Sequence, residues 1–199
     1  MMLIDETPVP DTALPTAAFA AHLRLGTGFG PEDLQAEVLT EFLRAAICAV
    51  EGRTGKVLLA RRFTWSAAYW ADRAAQALPV APVREVLSLV LVGQDGAQTL
   101  VAPEAYWLEQ DRQRPRLRST GPGLPRIPAG GAARIELEAG FGAAWDEVPP
   151  DLRQAVMLLA AHYYEYRNDT GLSGGCMPFG VSSLIERYRS FRLGMGAVR

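Results

Sequence analysis

Cysteine, histidine and lysine are nearly missing from this chain of 199 residues, which has two cysteines, two histidines and a single lysine, Lys56. Each scarcity closes a class of chemistry. Cys48 and Cys176 form no C-x-x-C pair and are too few for a structural zinc site. Cys48 falls within a helical pattern and is expected to be a small buried hydrophobe. A bridge to Cys176 is not expected in a protein made in the cytoplasm. His22 and His162 have no second ligand at metal spacing and no H-E-x-x-H around them. There is no G-x-S-x-G elbow, and the acids lie on helix faces rather than around a cleft. No nucleophile, base and oxyanion donor therefore come together. No catalytic residue, metal or cofactor is expected.

Long apolar runs are also lacking, so no bilayer span is expected. Residues 1–15 combine neither a basic start nor an apolar stretch, so no secretory leader is expected. The net charge of −2 excludes a histone-like DNA compactor. Gly26-Thr27-Gly28-Phe29-Gly30 has no strand before it and no Lys-Ser/Thr after it. It reads as a turn between helices rather than a phosphate loop.

What is present is an apolar half, 49% of residues, enough for one domain with a real core. The strongest helix spans 148–167. Pro149 and Pro150 suit its first turn and Asp151 faces the positive end of its dipole. Leu152, Ala155, Val156, Leu159, Tyr163 and Tyr166 then recur at helical spacing. Its three tyrosines cover more than one side, so at least one is expected at a subunit contact. A short helix is expected over 15–25. A long one follows Pro31-Glu32-Asp33, with an apolar face of Leu34, Val38, Phe42 (or Leu43), Ala45, Ala46, Ala49 and Val50, ended by Gly52 and Gly55.

From Lys56 to residue 141 the pattern turns to short β runs punctuated by Pro and Gly. Asp95-Gly96 reads as a hairpin turn, and Arg134-Ile135-Glu136-Leu137-Glu138 as a strand with one wet face. No helix separates these strands, so the sheet is expected to be antiparallel. Tyr69, Trp70, Trp107 and Trp145 are aromatic anchors for core or interface packing. The expected class is α+β, mainly α. A small helical bundle (15–55 and 142–170) carries an inserted antiparallel β segment (56–141), flanked by an N-terminal arm (1–14) and a C-terminal arm (171–199).

Charge is unevenly placed. Glu37 and Glu41 belong to an acidic first quarter, whereas Arg112, Arg114, Arg116, Arg118 and Arg126 make a basic central stretch. The C-terminal arm is basic but also apolar, which suits docking better than disorder. The near-exclusive use of arginine over lysine, with abundant alanine, suggests a GC-rich genome.

The order of motifs carries a resemblance. His22-Leu23-Arg24 is followed by Pro31-Glu32-Asp33 and a helix ending Glu51-Gly52-Arg53-Thr54-Gly55. Then come Leu78-Pro79, Ala81-Pro82-Val83, Tyr106 to Leu108 and Ala139-Gly140-Phe141-Gly142. Val148-Pro149-Pro150-Asp151-Leu152-Arg153, Tyr164-x-x-Arg167 and Tyr188-Arg189 complete the set. This layout, from about residue 14 to 193, resembles the head–tail connector (adaptor) proteins of long-tailed phages and gene transfer agents. Two departures are Ala21, where a basic residue is common, and a longer Gly-rich turn.

The resemblance implies a homo-oligomeric ring of about twelve subunits with head-to-tail contacts. A portal protein lies above, a stopper or tail protein below, and DNA passes through without sequence-specific binding. It implies a part of the particle's neck, made in the bacterial cytoplasm, with no membrane partner and no catalytic residues. On this reading Leu184, Tyr188, Arg189, Phe191, Arg192, Leu193 and Met195 bind the portal. Arg112, Arg114, Arg116, Arg118, Glu37 and Glu41 serve a subunit interface or the DNA channel. Two alternatives remain. Another neck component, a stopper or tail terminator, would be mainly β. A helical DNA-binding regulator would need a basic recognition helix, yet the helix after Gly30 is acidic.

Overall fold

The computed structural model describes residues 2–25, 32–167 and 177–189, with side chains in the long helix described from residue 35. The turn at 26–30, Cys176, and Phe191, Arg192, Leu193 and Met195 lie outside the described residues.

The helix expected over 148–167 forms as α3 (Pro150–Glu165), with Pro149 as N-cap and Pro150 at its first position. Leu152, Ala155, Val156, Leu159 and Ala160 are buried along one stripe. Each large side chain removed from water there contributes roughly 2 kcal/mol. That stripe meets α2 (Glu32–Thr54), α1 (Thr16–His22) and α4 (Phe179–Ile185). Tyr163 and Tyr164 are half-buried and Tyr166 is largely exposed, so the tyrosines do cover more than one side.

Helix α2 buries Leu39, Leu43, Ala46, Ile47 and Val50, so the expected Leu43, Ala46 and Val50 are inside, whereas the expected Val38 is 48% exposed. The apolar residues of α2 fit two faces one residue apart. Packing against α3 selects the face that brings in the larger Leu39 and Ile47. That rotation leaves Ala45 and Cys48 on the outer side, so Cys48 is exposed and not a core residue. Gly52 lies within the helix. Gly55 ends it in a left-handed conformation (φ 68°), its N–H bonded to the Glu51 carbonyl at 2.8 Å.

The β part comprises two antiparallel sheets. Strands β1 (Met2–Asp5), β2 (Arg61–Ala67), β4 (Val83–Val92), β5 (Gln98–Leu100) and β8 (Ala132–Ala139) form one, in the order β1-β2-β8-β4-β5. Strands β3 (Ala75–Ala77), β6 (Tyr106–Glu109) and β7 (Arg116–Ser119) form the other, in the order β3-β7-β6. The Asp95-Gly96 turn joins β4 to β5 as expected, with Gly96 at φ 82°. Strand β8 alternates, burying Ala133, Ile135, Leu137 and Ala139. These pack with Phe63, Trp65, Leu89, Leu117 and Leu124 in a core distinct from the helical one.

Three findings differ from the sequence reading. Residues 2–5 of the expected N-terminal arm form a strand that no β run in the sequence marked. They pair with β2 as an edge strand, Met2 opposite Ser66 and Asp5 opposite Phe63. Strands β3 and β7 were not expected at all. With these additions the described residues hold four α-helices and eight strands in two antiparallel sheets. The class is mixed α/β rather than mainly α, because the short strands carry almost no β-branched side chains and leave little trace in the sequence.

The β part leaves and rejoins the helices at nearly one point. The Ala60 N–H bonds to the Gly142 carbonyl at 2.7 Å, and the Phe141 N–H to the Leu58 carbonyl at 3.2 Å. Gly140 makes this closeness possible. Its φ is 137°, and a Cβ there would lie 2.5 Å from the Ala60 backbone.

Candidate interaction surfaces

The basic stretch divides into a loop and a strand with different surroundings. Arg112, Arg114 and Arg116 are exposed. The Asp111 Oδ1 atom accepts the Gln113 and Arg114 N–H groups at 2.6 and 2.9 Å. These two backbone donors hold the Asp111 carboxyl below the ordinary aspartate value. Beneath the loop, Lys56 is 1% exposed and its Nζ donates to the Gln113 carbonyl at 3.2 Å. Burial lowers the Lys56 pKa, and the nearby Asp111 charge opposes that shift. The Leu78 N–H bonds to the Pro115 carbonyl at 3.0 Å. The loop is therefore stapled from both ends.

Arg118 faces a different role. On β7 it lies opposite Trp107 of β6, with its guanidinium 6.0 Å from the indole ring. Its Nε and a terminal nitrogen donate to the Glu109 carboxylate at 2.7 and 3.2 Å. These bonds lower the Glu109 pKa and raise that of Arg118. Arg118 is thus committed within its own sheet. Trp107 remains 47% exposed and Tyr69 77% exposed, whereas Trp70 donates Nε1–H to the Pro125 carbonyl at 2.7 Å.

Glu37 and Glu41 are exposed one turn apart on the outer side of α2, flanking the exposed Val38. The structure does not bring them to the arginine loop. The loop is fixed at Lys56, just past the C-terminal end of α2. Glu41 and Glu37 lie about 20 and 26 Å back along the axis at 1.5 Å per residue.

Of the C-terminal candidates, Leu184 is half-buried, Arg189 exposed and Tyr188 only 8% exposed. Tyr188 belongs to the helical core, with its ring edge-on to Phe141 at 6.4 Å. Its hydroxyl donates to Asp151 Oδ1 at 2.8 Å and accepts from Arg187 at 2.8 Å, while Arg187 pairs with Asp151 Oδ2 at 2.6 Å. Burial raises the Tyr188 pKa. Tyr188 is therefore held by its own chain.

A second ionic cluster joins three segments. Arg61 forms a two-pronged pair with Glu51, at 3.0 and 2.8 Å, and donates Nε–H to Asp5 at 2.7 Å. Glu51 also accepts the Leu58 N–H at 2.7 Å. Burial alone would lower the Arg61 pKa, but Glu51 and Asp5 together raise it. Sequence reasoning missed Lys56, Asp111, Asp151 and Glu51 as organisers. Only Lys56 left a clue, as the single lysine directly after a helix-ending glycine.

No group of three or more histidine, cysteine, aspartate or glutamate side chains able to hold a metal occurs among the described residues. No helix among them is long and apolar enough to cross a membrane.

No protein-family profile matches the chain, and no curated protein sequence does. Solved structures do. A chain in the neck of an empty gene transfer agent particle, computed with C6 symmetry, is 49% identical, with a TM-score of 0.89. The match covers 98% of this chain and 99% of that one. The chain belongs to the head–tail connector family of long-tailed phages and gene transfer agents. A second chain, in the neck of a native gene transfer agent particle computed with C12 symmetry, is 46% identical with a TM-score of 0.83, covering 98% of this chain and 99% of that one. A third, from the virion of a native gene transfer agent particle, is 49% identical with a TM-score of 0.86 over the same shares. The expected connector family is therefore confirmed over nearly the whole chain, including both sheets.

Proposed function

We propose that this protein is a structural subunit of a particle's neck. It forms a ring under the portal that joins the head to the tail and lets DNA pass. The observation that carries this reading is the 49% identity over 98% of the chain to a neck component of a gene transfer agent particle. The C6 and C12 symmetries of the related necks support a homo-oligomeric ring, with about twelve subunits as the simplest count compatible with both. A stopper or tail protein is the partner below.

The portal contact is assigned to the C-terminal segment, with Leu184 and Tyr188 anchoring it and Arg189, Phe191, Arg192, Leu193 and Met195 reaching the portal. The Asp151–Tyr188–Arg187 cluster supports this division of labour, because it fixes the last described turn to α3 and so sets the direction of departure. Deleting residues 190–199 is expected to leave a folded protein that no longer joins portal-bearing heads, checked by cosedimentation with purified heads. Undiminished attachment of the truncated chain overturns the portal assignment.

A further inference from the structure

The arginine loop and the α2 acids pose a problem of unpaired charge. Among the described residues, Arg112, Glu37 and Glu41 take part in no ion pair, and Arg116 lies opposite Glu109, whose carboxylate is already bonded to Arg118. The loop is not a loose solvated segment, since Asp111 and Lys56 hold its backbone in place. Arginines presented on a fixed backbone lose less freedom on binding, so the arrangement favours contact with an anionic surface. The chain's own acidic strip cannot supply that contact. It lies about 20 to 26 Å away along α2, farther than an arginine side chain reaches.

We propose that the loop bearing Arg112, together with Arg116 at the start of β7, docks on the Glu37–Val38–Glu41 strip of α2 of a second copy of this chain, as the repeating contact of the ring. This deepens the ring reading above and rests on it. Two complementary patches at well-separated places on one subunit are what a head-to-tail contact requires. The half-exposed Val38 between the two acids gives the contact an apolar centre with a charged rim, the usual composition of a protein interface. Opposite charges then set register and exclude wrong neighbours. DNA is the less favoured partner of the loop, because a passage that gripped phosphates would gain salt-sensitive affinity and hinder transit.

The test uses particles from a producing strain in which only the variant chain is supplied. Copies of the chain per particle are counted by quantitative mass spectrometry, and the neck is imaged by cryo-electron microscopy. Arg112→Glu with Arg116→Glu, and separately Glu37→Arg with Glu41→Arg, are each expected to lower the copy number about tenfold, since like charges then face each other. Combining all four substitutions is expected to restore it. Melting curves of the purified chains check folding. If a reversed pair does not fold, the neutral pairs Arg112→Gln/Arg116→Gln and Glu37→Gln/Glu41→Gln replace it, with a smaller loss expected.

Unchanged copy number in both reversed pairs, or no recovery in the combined variant, overturns the proposal while leaving the ring intact. Reduced DNA delivery from the loop variant alone, at normal copy number, overturns it in favour of a DNA contact. A two-fold pair of subunits in place of a ring overturns the head-to-tail geometry. Absence of the wild-type chain from the neck is a separate result, because it removes the ring reading itself.

Discussion

The Tyr188 hydroxyl donates a 2.8 Å hydrogen bond to the Asp151 carboxylate across 37 residues of sequence, tying the last described turn to the first turn of α3. Removing that hydroxyl in Tyr188→Phe keeps the ring against Phe141 but loses a bond to a charged acceptor. The expected cost is about 1.5 kcal/mol, a fall in melting temperature of roughly 4 °C for a chain of this size. Tyr188→Ala also empties the ring's place in the core and is expected to cost about 4 kcal/mol. Calorimetry of both variants checks the ranking.

Glu51 serves three segments at once through Arg61 and the Leu58 N–H. Both side chains of the pair are largely buried, at 11% and 13% exposure. Glu51→Ala leaves the largely buried guanidinium with only the half-exposed Asp5 as an acidic partner, and the Leu58 N–H without its acceptor, so a loss of about 3 kcal/mol is expected. Adding Arg61→Met to Glu51→Ala removes the buried cation as well, so the double variant is expected to lose less than Glu51→Ala alone. Urea denaturation midpoints separate the two.

Acidification is expected to loosen the arginine loop. The Asp111 carboxyl lies below its ordinary value because the Arg114 and Gln113 N–H groups bond to its charged form. A depressed folded-state pKa stabilises fully above the unfolded value, near about 4, and that contribution is lost as pH falls through the folded value. An NMR titration following the Gln113 and Arg114 amides is expected to show no change from pH 7 to 5 and a transition below about pH 4. Asp111→Asn is expected to remove the transition.

Gly140 and Gly96 both have positive φ but meet different surroundings. A Cβ at Gly140 would lie 2.5 Å from the Ala60 backbone, whereas nothing lies within 4 Å of one at Gly96. Gly96→Ala is expected to cost only backbone strain, about 1 kcal/mol. Gly140→Ala adds a backbone clash and is expected to cost about 3 kcal/mol or more, seen as a large fall in soluble yield and melting temperature.

The parts of the fold legible in the sequence were those with long, clean periodicity. The α3 stripe from Leu152 to Leu159 and the alternation from Arg134 to Glu138 needed no tertiary context. The Asp95-Gly96 turn followed from local backbone chemistry. The edge strand Met2–Asp5 was hidden because four residues carry too little pattern, and its pairing depends on a partner some sixty positions away. β7 was hidden because Arg-Leu-Arg-Ser reads as charge before it reads as strand. The face of α2 was legible at Leu43, Ala46 and Val50 but not at Val38 and Ala45, because apolar residues surround the helix and only α3 decides which side is inside. Tyr188 looked like a free docking residue because its acceptor, Asp151, lies on another helix. Charge was visible as composition, but the division of Arg112 and Arg116 from Arg118 came only from Glu109 and Lys56, which no spacing rule links to them.

The clasp of Ala60 on Gly142 and of Phe141 on Leu58 has a consequence for how such chains can diversify. Where the β part departs and returns lies one hydrogen bond apart, so the helices see it as a loop whose ends already meet. The cost of closing a loop rises only logarithmically with its length. Loops between residues 60 and 141 can therefore lengthen or shorten without moving α2 relative to α3, as long as Arg61 keeps its pair with Glu51. The helical frame can stay constant while the β part changes around it.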